Sequence, residues 1–243
     1  WRMAKNRAIL KKLSAVETLG STTVICTDKT GTLTMNQMTA RAGWFAGSRF
    51  TVSGEGYRAE GIITQIGESA TLHPVYILRP FLLPMALCTE SHVRDGELIG
   101  DPTEGALWVL AQKGGLEPEA EQEVQPRIAE IPFDSAHKFM ATFHHAGEVV
   151  EMFIKGAPDV LLARASAWLS DTGDAPLDAD TRQRIEDENE RLATQALRVL
   201  AVARRVIPAK DFDPTGDLMA WAQAWIFLGL VGLMDPPRAE TKH

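Results

Sequence analysis

Residues 22–34 read Thr22-Thr23-Val24-Ile25-Cys26-Thr27-Asp28-Lys29-Thr30-Gly31-Thr32-Leu33-Thr34. The first six are compact and rich in β-branched side chains, which suit a strand; the residues after Asp28 are small, polar and include a glycine, which suits a loop. The expected unit is a buried strand that delivers the carboxylate of Asp28 into a loop, and strand ends in open α/β sheets are a common place for chemistry. A carboxylate so placed can attack a γ-phosphate to give an acyl phosphate. Lys29 would bring positive charge beside it, and Gly31 would let backbone amides approach the transferred group. Nucleophile, cation and close donors are the groups that phosphoryl transfer requires.

Upstream, Met3 to Ser14 is basic and partly apolar, a pattern for a short helix or surface connector. Downstream, from Asn36 to about Trp225, strand-like and helix-like patterns mix without a fixed repeat, which predicts a separate α+β domain. Lys138 to His144 and Glu148 to Lys155 flank Ala146-Gly147 and predict an antiparallel hairpin. Gly156-Ala157-Pro158-Asp159 and Asp101-Pro102-Thr103-Glu104 each place proline or an acid where a first helical turn accepts them. Asp180 to Ala196 reads as a charged helix followed by a covered strand at Arg198 to Ala203. Two acidic or turn-rich stretches, Glu117 to Glu123 and Asp171 to Asp180, are expected as solvated loops. Phe227 to Met234 is an apolar strand that stops at Asp235-Pro236-Pro237-Arg238, where two prolines fix the backbone in a stiff hinge.

Composition removes several classes of function. The 243 residues carry a net charge of -7, and the cations are scattered, so a phosphate backbone would be repelled and no nucleic acid is expected. Ala224 to Met234, the longest apolar run, is about half of what a helix needs to span a bilayer. Cys26 and Cys88 stand far apart in apolar surroundings without metal-ligand spacing, and read as reduced thiols. The opening at Trp1 does not look like a natural initiation, so targeting is not legible.

Asp28-Lys29-Thr30-Gly31-Thr32-Leu33-Thr34 resembles the phosphorylation signature of P-type ATPases. Four further segments resemble that family in the expected order: Asp101 to Leu107, Pro132 to Lys138, Lys155 to Pro158, and Asp235 to Arg238. The flanks Ala15 to Gly20 and Asn36 to Thr39 look most like the branch with calcium and sodium/potassium pumps. The resemblance implies an antiparallel sheet flanked by helices, the nucleotide-binding domain (36–234), inserted in an incomplete Rossmann-like α/β phosphorylation domain (1–35 and 235–243). It also implies that the chain is a piece of a pump at the cytoplasmic face of a membrane. The second half of the phosphorylation domain, the actuator domain and the ion-binding membrane helices are then partners elsewhere, so the piece alone would bind nucleotide without pumping, and its transported cation is not legible.

By the same resemblance the cofactors are ATP and Mg2+. Asp28 is the phosphorylated residue, with Lys29 beside it, and Asp28 and the carbonyl of Thr30 help hold magnesium. Phe133 stacks on adenine, Lys138 and Lys155 stand near the nucleotide, and Gly156 and Ala157 leave room beside the base. Glu104 approaches the adenine amino group, and Arg198 reaches the phosphates or ribose. Where the family often has another basic residue after Phe133, this chain has Ser135-Ala136-His137; His137 is expected as a solvated strand-end residue. The triplet Thr215-Gly216-Asp217 copies part of a family magnesium motif in the wrong place and reads as a turn. Gly54-Glu55-Gly56 with Gly61 lacks dinucleotide-loop spacing and reads as a loop between strands. A soluble phosphatase with a large cap is the competing class, but its second acid would fall at Thr30, leaving no carboxylate to protonate a leaving group. A pure binding module is the third.

Overall fold

The computed structural model describes residues 17, 20–24, 26–67, 75–94 and 96–238; the side chains of 29, 30, 75 and 76 lie outside that set. Two compact units result: Asn36–Pro236, and a smaller one containing the described residues of 1–35 with 237 and 238.

The larger unit is built on a ten-stranded sheet. Its strands are β1 (Thr39–Phe45), β2 (Ser48–Val52), β3 (Ile63–Gln65), β6 (Arg127–Asp134), β7 (Phe139–Ala146), β8 (Val149–Gly156), β9 (Ala165–Ser170), β10 (Gly173–Pro176), β11 (Arg198–Pro208) and β12 (Trp225–Met234). The main path runs β3-β2-β1-β12-β11-β8-β7-β6, and β9, carrying β10, branches from β12. All pairings are antiparallel except β9 with β12. A separate two-stranded ribbon joins β4 (His92–Arg94) to β5 (Glu97–Ile99).

The central strands are buried on both faces because successive side chains point to opposite sides. In β11, Ala201 and Ala203 join one apolar cluster while Val202 joins the other; in β12, Phe227 and Leu230 divide from Leu228 and Val231, the alternation changing phase where the register shifts past Leu228. Four helices cover these faces. On one side lie α1 (Val75–Leu87), with Phe81, Leu82 and Met85, and α2 (Pro102–Lys113), with Leu107, Leu110 and Ala111. On the other lie α4 (Pro158–Arg164), with Leu161, and α5 (Ala179–Thr194). The buried residues of α5, Thr181, Ile185, Glu188 and Leu192, recur every three or four positions, the stripe of an amphipathic helix. A fifth helix, α3 (Pro118–Val124), has proline in its first turn.

The β7–β8 hairpin, the two helix starts after Asp101 and Ala157, and the helix-then-strand order at 179–208 form as the sequence predicts. The tight turn itself falls on Gly147 and Glu148, with Gly147 at φ 68°. Residues 54–61 form a loop between β2 and β3, and Asp213 caps the turn at Thr215 by accepting from its amide at 2.8 Å.

Several expectations are corrected. The described residues of 22–28 form no strand and are exposed, Val24 to 72 %. A β-branched run needs a neighbouring ladder to become a strand, and no described strand runs beside it. Cys26 is exposed instead of lying in apolar surroundings, while much of the segment expected to be Rossmann-like lies outside the described residues. Residues 118–124 are helical because proline and acids suit a helix N-terminus, and Gly173–Pro176 turns back to pair with β9, so neither stretch is a plain loop. The connector expected at Met3 to Ser14 lies outside the described residues.

Candidate functional site

Four neighbouring strands and one helix start converge on a cleft of about 520 Å3 in the larger unit. Strand β11 contributes Arg198 and Leu200, β8 contributes Lys155 and Gly156, β7 contributes Met140, and β6 contributes Phe133. The opposite wall is the first turn of α2, with Thr103 and Glu104. Asp101 caps that turn by accepting from the amides of Thr103 at 2.8 Å and Glu104 at 3.3 Å. A cap of this kind fixes where the next side chains point.

The floor of the cleft is an ion pair. Lys155 is 8 % exposed, and its ammonium donates to the Glu104 carboxylate and, at 2.6 Å, to the carbonyl of Cys88. Glu104 also accepts from the Ser91 hydroxyl at 2.7 Å, the Glu90 amide at 3.0 Å and the Thr89 hydroxyl at 3.2 Å. Burial pushes the Glu104 carboxyl up, but Lys155, Ser91 and the Glu90 amide together outweigh it and hold the group below the usual carboxylate range. With its remaining lone pairs satisfied, the pair offsets its desolvation, and removing either partner alone would leave an uncompensated buried charge. An ammonium has three hydrogens, so Lys155 keeps one for a ligand, whereas the donors on Glu104 all come from protein.

Phe133 is the opposite case. Its ring lines the cleft yet is 64 % exposed, which leaves a flat apolar face uncovered. Arg198 stands at the open edge, its guanidinium 3.5 Å from the Thr103 hydroxyl. The cleft therefore offers a ring face and apolar side chains at one part, and cationic donors at another, a combination that suits a base carrying phosphates.

Of the sequence-expected residues, the structure brings Glu104, Phe133, Lys155, Gly156 and Arg198 together. Lys138 and Ala157 do not line the cleft. Lys138, at φ 58°, extends outward with its ammonium 3.9 Å from Asp159, and its carbonyl accepts from the Ala157 amide at 3.0 Å, so this pair braces the rim through backbone. The fold itself also requires Gly156: a Cβ there would meet Lys138 O at 2.5 Å and Phe139 Cβ at 2.7 Å. His137 is half-buried with its ring 4.4 Å from Phe139, so it is not solvated as expected. Sequence reasoning missed Ser91 and Met140; nothing in their local pattern distinguishes them, and strand order brings in Met140 while hydrogen bonds to Glu104 and the Asp101 amide bring in Ser91.

In the smaller unit Asp28 is exposed, and a five-residue π-helical turn follows at Lys29–Leu33. The side chains of Lys29 and Thr30 lie outside the described set. Arg238, read beforehand only as part of a hinge, organises this turn. Its Nη2 donates to Gly31 O at 3.0 Å and its Nε to Thr34 O at 3.2 Å, while its amide donates to Leu33 O at 2.9 Å. Among the described residues no group of three His, Cys, Asp or Glu gathers as a metal site. An exposed carboxylate and a neighbouring backbone carbonyl are nevertheless the hard oxygen donors that magnesium accepts alongside water and phosphate.

Residues 78–240 match the family described as P-type ATPase, cytoplasmic domain N, and the chain belongs to that family. It is similar to the cation-transporting ATPase pma1 of Synechocystis, with 42 % identity over 99 % of the chain and 27 % of that protein. It is likewise similar to a calcium-transporting ATPase of Bacillus subtilis, with 40 % identity over 100 % of the chain and 27 % of that protein. The chain thus spans about a quarter of the length of these curated relatives. No helix among the described residues is long and apolar enough to cross a membrane.

Proposed function

We propose that the cleft binds ATP and that the chain is the nucleotide-binding and phosphate-accepting portion of a cation-transporting P-type ATPase. The purine stacks on Phe133, the spare hydrogen of Lys155 serves the base or an adjoining oxygen, and Arg198 meets ribose or phosphate. Glu104 acts chiefly by holding Lys155 and the 89–91 segment in place. Lys138 adds positive potential from the rim, and Ala157 shapes the backbone there. The observation that carries this reading is an exposed aromatic ring and a buried lysine, paired with Glu104 and the Cys88 carbonyl and keeping one hydrogen unused, lining one cleft.

In the complete protein, a carboxylate oxygen of Asp28 attacks the γ-phosphorus, the bond to the bridging β-γ oxygen breaks, and ADP leaves while an aspartyl phosphate remains. Lys29 offsets charge on the transferred group. Magnesium, held by Asp28 and the Thr30 carbonyl, would supply further charge neutralisation. The Asp235 to Arg238 segment acts as a hinge between the nucleotide and Asp28. The rest of the pump, with the membrane helices that select the cation, is the chain's partner, and the chain sits at the cytoplasmic membrane face. Calcium is the ion suggested by the relatives' names. Membership of this family disfavours the soluble phosphatase reading.

Titration of ATP into the chain, followed by amide chemical shifts, tests the proposal. Shifts are expected at Phe133, Lys155 and Arg198, and Phe133→Ala should weaken binding by roughly tenfold, the loss of about 1–3 kcal/mol of stacking. Undiminished affinity in that variant would remove the purine from this cleft.

A further inference from the structure

The glycine-bearing loop at 53–61 has no part in the nucleotide reading, yet it is tied down on three sides. Lys113, in the last turn of α2, donates to Ser53 O at 2.7 Å. Arg41 of β1 donates to Gly54 O at 3.1 Å and pairs with Glu55 at 3.2 Å. Gly56 lies so close to Gln37 that a Cβ would stand 3.1 Å from its Oε1, and the Gln37 amide in turn donates to Asp235 Oδ1 at 3.2 Å. Residues 37 and 235 adjoin the two ends of the larger unit, so the loop stands between the helix that walls the cleft and the pair that closes the chain ends.

At the centre of the loop is Tyr57, 8 % exposed and packed with Val93, Trp108 and Val109. It also rests on Gly105, the residue after Glu104, where an added Cβ would come within 3.1 Å of the Tyr57 ring. Its hydroxyl is buried without a hydrogen bond, an exception among buried polar groups. Burial, then the charges of Asp101 and of Asp235, push the phenol up to about 12; the Met38 amide opposes them from a position that does not satisfy the hydroxyl.

We infer that Tyr57 is a positioning residue that transmits occupancy of the nucleotide cleft, through the first turn of α2, to the Gln37–Asp235 pair. A ligand touching Thr103 and Arg198 displaces the α2 start; Gly105 then bears on the Tyr57 ring, whose chain neighbour Gly56 lies against Gln37, the residue bonded to Asp235. Coupling of this kind requires an interaction that differs between two states. The unpaired hydroxyl supplies it, because it has a hydrogen bond to gain in one arrangement and none in the other.

This inference rests on the proposed ATP binding, and one experiment separates the two. Amide shifts are recorded on adding ATP to the chain and to Tyr57→Phe, which keeps the ring and removes the oxygen. In the unaltered chain, shifts are expected both at the cleft and at Gln37 and Met38. In Tyr57→Phe the affinity should stay within about threefold while the response at 37 and 38 shrinks by about fivefold or more. Cleft shifts with none at 37 and 38 in the unaltered chain would overturn the inference without any variant. An unchanged response in Tyr57→Phe would do the same, and so would a loss of affinity with the response falling in proportion, which marks a merely structural role. No cleft shifts at all would instead defeat the ATP reading.

Discussion

The cleft and the Asp28 segment are held by different means. Around the cleft, four strands in a ten-stranded sheet fix the side chains, and the central lysine is buried and held by Glu104 and the Cys88 carbonyl. Around Asp28, the described backbone forms no strand, the carboxylate side is exposed, and one arginine gathers the carbonyls of the following turn. A recognition surface must exist before its ligand arrives, since ordering it on binding would subtract from affinity. The nucleophile role proposed for Asp28, which would engage a phosphate only during one step, is compatible with an exposed, locally organised setting. The contrast implies that substitutions at the cleft floor alter stability first, whereas those at the rim alter binding with the fold intact.

The largest expected effect follows from removing one half of the buried pair. Glu104→Ala leaves the Lys155 ammonium inside the protein with only the Cys88 carbonyl, and strips the acceptor from Ser91, Thr89 and the Glu90 amide. Such orphaned charge costs roughly 3–5 kcal/mol. Urea denaturation of the chain and the variant would measure it; a difference below about 1 kcal/mol would mean that the cleft floor is not the rigid element this contrast requires.

Acid should unfold the same region in a predictable window. His144 is 1 % exposed, donates from Nδ1 to the Gln125 carbonyl at 2.7 Å and accepts at Nε2 from Thr142 at 2.9 Å, the neutral tautomer. Burial, assisted by Arg127 and opposed by Gln125, lowers it from 6.5 to about 4. Between those values the unfolded chain binds the proton and the folded chain does not, so stability is complete above pH 6.5 and falls as pH drops towards 4. The full loss is about 3 kcal/mol. Glu104, also lowered, acts in the same direction, with its loss beginning only as pH falls through the ordinary carboxyl value of 4.5. In His144→Gln the slope between pH 6.5 and 4 should flatten while the steeper acid limb remains; an unchanged slope would assign it to another group.

How much of this could be read in the sequence depended on how local each signal was. Asp101 with Pro102, and Pro158 after Ala157, announce helix starts through caps and fixed φ angles, and both form. The β7–β8 hairpin follows from one glycine turn between two apolar runs. By contrast α1 contains Pro80 and Pro84, which argue against a helix locally, and only its burial against the sheet through Phe81 and Leu82 overrides them. The run 22–27 shows the reverse failure, strand-like residues without a ladder. Within the site, Phe133 and Lys155 were legible because each stands in a motif. Ser91 and Met140 were not, because Met140 is brought in by sheet order and Ser91 by its bonds to Glu104 and the Asp101 amide, and Gly156 gains a second requirement from Phe139 across the ladder.

The smallest effect discriminates most finely between floor and rim. Lys138 and Lys155 are read alike from sequence, yet one is 57 % exposed along its side chain and 3.9 Å from Asp159, while the other is 10 % exposed and in the ion pair with Glu104. An exposed pair of that geometry contributes on the order of 0–1 kcal/mol, so Lys138→Ala should leave the denaturation midpoint almost unmoved. Its effect on ATP should be a loss of about two- to threefold that fades as salt is raised, because a rim charge acts through a screened field. Lys155→Met would behave differently: its effect should persist at high salt, since a dry pair is screened little. If the Lys138→Ala loss were as large and as salt-resistant as that of Lys155→Met, the lysine would have to swing into the cleft when nucleotide binds. The rim would then belong to the binding surface, and the division drawn between floor and rim would fail at that residue.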